Sequence, residues 1–157
     1  MPVLAAIDIG SNALRLVIAD VEGEHKVSVL ESSREPVRLG RDVFASGVIT
    51  DETIRQAAEA FGRFRETINR HNALMTRAVA TSALREAMNR DLFVDRIAQV
   101  ADVEIRTIGP EEEARLIHAA VAEKVNLKNR VALLVDVGGG STEITITENG
   151  QILSTES

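Results

Sequence analysis

Apolar positions along the chain follow two rhythms. Residues 3–9 form a short run rich in Val and Ile, the pattern of a buried strand, and residues 14–21 and 26–31 repeat it after turns at Gly10-Ser11-Asn12 and Gly23. The chain is therefore expected to open with a strand meander. From Thr50 the period lengthens. Thr50 offers an N-cap oxygen, Asp51 and Glu52 follow at the positive helix end, and Ile54, Ala57, Ala58, Phe61, Phe64 and Ile68 recur at helical spacing. A strand over 74–80, a short helix opened by Thr81 or Ser82, a helix over 91–100 and a strand over 102–108 come next. Pro110 in a first turn announces a helix running to about Lys124. An apolar strand over 131–137, a turn from Gly138 to Gly140 and an alternating strand over 143–148 close the series. Asn149-Gly150 signals a hairpin, with a further strand from Ile152. Strands first, then alternating helices and strands, predict an α/β layer on a mixed sheet. The last hairpin reads as the opening of a second domain, which divides the chain into 1–127 and 128–157.

Composition narrows the function classes. The 157 residues are 45% apolar, enough for a packed core. Four Phe with neither Trp nor Tyr give no stacking platform, and 24 acidic against 18 basic residues, net −6, disfavour a nucleic-acid surface. The absence of Cys removes thiolate metal sites. No segment approaches the roughly 18 apolar residues of a membrane span, and the N-terminus lacks a basic leader, so a cytoplasmic setting without membrane contact is expected.

Two segments resemble each other. Ile7-Asp8-Ile9-Gly10-Ser11-Asn12 and Val135-Asp136-Val137-Gly138-Gly139-Gly140-Ser141-Thr142-Glu143 each run from an apolar strand through Asp and Gly into a small polar turn, and then into another strand. Glycine lets backbone N–H groups converge on a phosphate, and Ser or Thr hydroxyls add donors. An ionised Asp cannot bond phosphate oxygens and would hold a cation that does; Mg²⁺ suits one or two carboxylates. Neither a Walker A loop nor a dinucleotide fingerprint fits, because strands rather than helices follow both turns.

A further carboxylate is oddly placed. At 100° per residue, Leu116, Ile117, Ala120 and Val121 define an apolar face of the Pro110 helix, and Glu113 falls near its middle. Glu111 and Glu112 read as surface partners of the helix dipole. An inward Glu lining a cleft, with its pKa raised, is a candidate general base. His118 reads as a packed or exposed helix residue rather than a ligand, and His25 and His71 show no metal-ligand spacing.

Together with Ala80-Thr81-Ser82-Ala83-Leu84-Arg85 and Glu112-Glu113-Ala114-Arg115-Leu116-Ile117, these stretches resemble the exopolyphosphatase/guanosine pentaphosphate phosphohydrolase (Ppx/GppA) family, within the actin-like ATPase (ribonuclease H-like) superfold. The resemblance spans nearly the whole chain, in family order. It implies a first actin-like domain with mixed sheet and flanking helices, plus the opening hairpin of a second, similar domain. It implies hydrolysis of terminal phosphoanhydride bonds of inorganic polyphosphate or a guanosine penta/tetraphosphate. Glu113 matches the catalytic glutamate and Arg85 an arginine that meets phosphate. Gly10, Ser11 and Asn12 match the first phosphate loop. Gly138, Gly139, Gly140, Ser141 and Thr142 match the second. Asp136 and Glu143, with help from Asp8, match the holders of Mg²⁺, for which Mn²⁺ is the substitute. Gly109-Pro110-Glu111 departs from the Ser-Gly frequent before the acidic pair, and the aromatic frequent near His118 is missing. Rival readings are an ATP-using kinase or ATPase of the same superfold and a non-catalytic alarmone sensor. Open strand edges over 131–157 lead us to expect self-association, as a homodimer through this hairpin, or disorder of the segment, and little turnover by the 157 residues alone.

Overall fold

The computed structural model describes residues 1–23 and 26–157; His25, expected to be no metal ligand, lies outside the described residues. The chain forms two compact units, Met1–Thr107 and Ile108–Ser157.

The first unit is built on a five-stranded sheet. β1 (Val3–Ile9), β2 (Leu14–Glu22) and β3 (Lys26–Glu35) make the expected antiparallel meander. β4 (Met75–Ala80) and β5 (Ile105–Thr107) add in parallel on the other side of β1, giving the order β3-β2-β1-β4-β5. Alternation decides which face is covered. Ala5, Ile7 and Ile9 of β1 and Leu14, Leu16 and Ile18 of β2 are all buried on one side. Against them lies α2 (Asp51–Arg70), whose stripe of Ile54, Ala57, Ala58, Phe61, Phe64 and Ile68 is buried as its spacing predicts. Thr50 caps this helix by accepting the Thr53 N–H, and the buried Asp42 in turn accepts from the Thr50 hydroxyl at 2.7 Å. α4 (Arg90–Ala101) packs beside α2 through Phe93, Ile97 and Ala101.

Two departures from expectation have local causes. α1 (Leu39–Ser46) has no counterpart in the sequence reading. It starts at Arg38, which is left-handed at φ 61° and has no side-chain cap bond, so the usual start signal is missing. β5 is shorter than the expected 102–108. Asp102 adopts φ 52° to end α4, donating its N–H to the Ala98 carbonyl, and the chain reaches sheet geometry only at Ile105. α3 (Ser82–Glu86) is the short helix expected after Thr81.

The second unit holds α5 (Pro110–Ala122) and a three-stranded antiparallel sheet of β6 (Val131–Val137), β7 (Thr142–Glu148) and β8 (Gln151–Glu156). Asn149 and Gly150, with φ 53° and 78°, form the two-residue turn that this dipeptide predicts. The expected boundary at 127/128 and the compact units divide the chain at different points, because α5 packs on β7 and β8. The sheet's covered face is its polar one. Glu143, Thr145 and Thr147 are buried, whereas Leu133, Val135, Val137, Ile144 and Ile146 are exposed.

Candidate active site

The two glycine turns are closed in the same way. The Gly10 N–H donates to the Ala13 carbonyl at 3.1 Å, and the Gly138 N–H donates to the Ser141 carbonyl at 2.9 Å. A Cβ on either glycine would stand 3.2 Å from the very oxygen that closes its turn. A side chain there would crowd the closing bond, and the oxygen would have to give by a few tenths of an ångström, so glycine spares each hairpin a tight contact. The likeness between residues 7–12 and 135–143 is thus a likeness of backbone geometry.

In the first turn Asn12 is exposed, and its carbonyl accepts from the Arg38 N–H at 3.1 Å. Ser11, expected to offer its hydroxyl to phosphate, is only 4% exposed; its Oγ lies 2.9 Å from that of Ser82, which is equally buried. Its carbonyl accepts from the Gly40 N–H at 2.8 Å. Ser11 therefore pegs the turn onto α3 and the start of α1, and the outward-facing group is Asn12. Asp8 is half-buried at the foot of the turn and is bound by Arg15 across the β1–β2 pair at 3.3 Å. Arg85 is half-buried in α3.

In the second unit, strand register brings two expected cation holders together. Asp136 and Glu143 are direct partners across β6 and β7, at the foot of the Gly138–Ser141 turn. Like charges so placed repel unless a cation or proton lies between them. Glu143 is 2% exposed; one carboxylate oxygen accepts from the Ser157 hydroxyl at 3.2 Å, and the other is buried without a hydrogen-bond partner. A buried carboxylate oxygen without a hydrogen-bond partner, on the residue paired in register with a second carboxylate, is a donor set suited to a hard divalent cation such as Mg²⁺. Among the described residues no group of three or more His, Cys, Asp or Glu side chains converges, so the ligand set supported here is this pair. Gly139, Gly140 and Thr142 are exposed and Ser141 is half-buried, leaving the turn open to a phosphate.

Glu113 is half-buried in the first turn of α5. The only fully buried side chain of that helix is Ala114, and Leu116 is exposed, so the apolar face read from periodicity is largely uncovered. Glu112 is engaged by Arg115 at 2.9 Å and Glu111 is exposed, as expected of dipole partners. A cavity of about 330 Å³ opens at this helix start, lined by Gly109, Pro110, Glu111, Thr155, Glu156 and Ser157.

A profile of the Ppx/GppA phosphatase family matches residues 17–157. The chain belongs to the Ppx/GppA phosphatase family. Among family relatives, it is 36% identical to exopolyphosphatase 2 of Mycobacterium tuberculosis over 96% of this chain and 50% of that protein. It is 32% identical to the guanosine-5'-triphosphate,3'-diphosphate pyrophosphatase of Photobacterium profundum, over 94% of this chain and 29% of that one. The crystal structure of an exopolyphosphatase from Cytophaga hutchinsonii superposes with a TM-score of 0.92 at 29% identity, covering 98% of this chain and 49% of that one. The chain thus spans half or less of the length of these relatives. The ethanolamine utilization protein EutJ from Carboxydothermus hydrogenoformans, 21% identical with a TM-score of 0.54, shares the fold alone. The actin-like α/β fold with its mixed sheet is therefore the fold of this Ppx/GppA chain.

Two residues that contact the expected residues of the first turn, Arg15 at Asp8 and Ser82 at Ser11, were not among those read as candidates. Arg15 carried a signal, a polar position facing Asp8 in the alternation of β2. Ser82 lay inside a recognised motif, but its partner Ser11 is 71 positions away and only the fold brings them together.

Proposed function

We propose that the protein to which this chain belongs hydrolyses terminal phosphoanhydride bonds of inorganic polyphosphate or guanosine pentaphosphate. The observation that carries the reading is the opposed Asp136/Glu143 pair beneath the second glycine turn, with one Glu143 oxygen buried and unbonded. The names of the relatives, exopolyphosphatase and guanosine-5'-triphosphate,3'-diphosphate pyrophosphatase, support the same substrate classes.

In this scheme the exposed backbone of Gly138, Gly139 and Gly140, the hydroxyls of Ser141 and Thr142, and the first turn with Asn12 hold phosphate oxygens in place. Arg85 meets the negative charge of the terminal group. Glu113 orients a water molecule and takes its proton as the oxygen attacks the terminal phosphorus. The bridging P–O bond breaks, its electrons leave with the shortened chain, and orthophosphate is released. Asp136 and Glu143 would hold Mg²⁺, or Mn²⁺ in its place; the ion supplies charge neutralisation at the phosphate oxygens when bound.

Phosphate release by the full-length protein from polyphosphate, guanosine pentaphosphate and ATP, with and without Mg²⁺, tests the reading. Glu113→Gln is expected to lower the rate by a factor of about 10² or more, the usual contribution of a general base. An unchanged rate in that variant, or no release from any of the three substrates, overturns the proposal.

A further inference from the structure

Two short tethers join the Gly10 bend to the helix that carries Arg85, and both lie within the first unit. One is made of backbone. The Thr81 N–H donates to the Ile9 carbonyl at 3.3 Å, one residue past the last β1–β4 pair, Ile9 and Ala80. The Thr81 carbonyl then accepts from the Arg85 N–H at 3.0 Å, in the first turn of α3. The other tether is the contact between the Ser11 and Ser82 hydroxyls, 2.9 Å apart.

The hydroxyl tether is made against local preference. Thr81 is the N-cap residue of α3 and Ser82 the first residue inside it, and hydroxyls at a helix start ordinarily accept a helix N–H. Here Thr81 makes no side-chain cap bond, and Ser82 gives its hydroxyl to Ser11 instead. Local rules set aside in this way mark sites where the fold serves function. Ser11 and Ser82 are 4% and 2% exposed, so removing either hydroxyl leaves the other without water to replace it. Ser11 is also held from its far side. The Gly40 N–H donates to its carbonyl at 2.8 Å, and a Cβ on Gly40 would stand 2.9 Å from the Ser11 Cβ. At five residues α3 is too short to hold itself in water. Its place is set by the buried Ala83 and Leu84 and by the two tethers at its start, and the half-buried Arg85 follows directly.

We infer that Ser82 is a positioning residue: through Ser11 it fixes the first turn of α3, and Arg85 with it, against the Gly10–Asn12 bend, so that bend and arginine meet phosphate as one rigid piece. The inference rests on the hydrolase reading above, which gives the bend and Arg85 their phosphate contacts. Ser82 is buried and acts through its neighbours. In the full-length protein Ser82→Ala should lower kcat/KM for polyphosphate about tenfold, the scale of a small misplacement. Ser11→Ala should do the same, and the double variant should be no worse than either, because both remove one bond. On an Arg85→Gln background the loss from Ser82→Ala should shrink to less than about twofold, since the group it positions is gone while Gly40 still holds the bend. Thr53→Ala is the control. It removes an equally buried hydroxyl bond from the α2 cap, and should lower the melting temperature comparably with kcat/KM unchanged. Amide exchange in this chain reads the tether without turnover: Ser82→Ala should speed exchange at the Thr81 and Arg85 N–H several-fold and leave the Gly40 N–H protected. Additive losses from Ser82→Ala and Arg85→Gln, a fall in kcat/KM for Thr53→Ala as large as for Ser82→Ala, or an unchanged kcat/KM in Ser82→Ala overturns the assignment. If the wild-type protein releases no phosphate, the hydrolase reading fails by itself. Exchange then decides the tether: faster at Thr81 and Arg85 in Ser82→Ala supports it, and unchanged overturns it.

Discussion

The hairpin at Gly10 and the hairpin at Gly138 are closed by the same hydrogen bond beside the same tight contact, yet they stand on differently finished sheets. Behind the first, Ile7, Ile9, Leu14, Leu16 and Ile18 are buried in one core with the stripe of α2, which α4 flanks. In the second, the corresponding apolar side chains Leu133, Val135, Ile144 and Ile146 are exposed, and the covered side bears Glu143, Thr145 and Thr147. Turn geometry is decided locally by glycine and one backbone bond. The stability of the sheet that carries the turn is decided by what covers its apolar face. A glycine bend can therefore be fully shaped in a unit that leaves one apolar sheet face exposed.

The sharpest way to break this contrast is a matched pair of truncations. Leu16→Ala, at a side chain 1% exposed, should cost about 2–5 kcal/mol of unfolding free energy. Leu133→Ala, at one 62% exposed, should stay within about 0.5 kcal/mol, both read by denaturant unfolding of this chain. Comparable losses at the two sites would show that the face bearing Leu133 is covered in solution.

A second contrast is electrostatic. Burial alone pushes the Asp42 carboxyl up, but the hydroxyls of Thr53 and Thr50, the Thr50 N–H and Arg41 together outweigh it and hold the group at about 2, below its ordinary 3.8. Because the folded value is the lower one, the stabilisation is present above the ordinary carboxylate range and is lost as pH falls from about 3.8 toward 2. Asp42→Asn should cost about 1–2 kcal/mol at neutral pH and flatten the acid limb of unfolding for the first unit. An unchanged acid limb would remove Asp42 from the account of how α2 is anchored.

The smallest expected difference lies in the turns themselves. Gly10→Ala should destabilise by about 1 kcal/mol, because the Gly40 N–H and the Ser11–Ser82 peg leave the Ala13 carbonyl little room to move. Gly138→Ala should cost less, since its clash can relax into an exposed run of glycines. Thermal melts of the two variants would resolve the order, and a costlier Gly138→Ala would reverse it.

What could be read from the sequence follows from the range of the forces involved. The turns, the Thr50 cap, the α2 stripe and the Asn149-Gly150 hairpin are local chemistry, and each forms where its residues indicate. α1 was invisible because its N-cap residue, Arg38, adopts a left-handed conformation without a side-chain cap bond. The contact between the Ser11 and Ser82 hydroxyls joins positions 71 apart, which only the fold brings together. Alternation along β7 showed that its two faces differ, but not that the threonine face would be the covered one. The opposition of Asp136 and Glu143 needed only the hairpin register, so it could have been inferred from the length of the glycine turn.

The parallel pairing of β1 with β4 has a consequence for how the chain acquires its shape. β1, β2 and β3 can zip into hairpins as neighbours, but β1 gains its second flank only after β2, β3, α1 and α2 have all been made and folded back. Such a non-local closure makes assembly of the first unit slow, whereas β6, β7 and β8 join solely through adjacent hairpins and can form quickly. During synthesis, then, the strand that leads into the Gly10 bend waits half-paired for the emergence of Met75–Ala80.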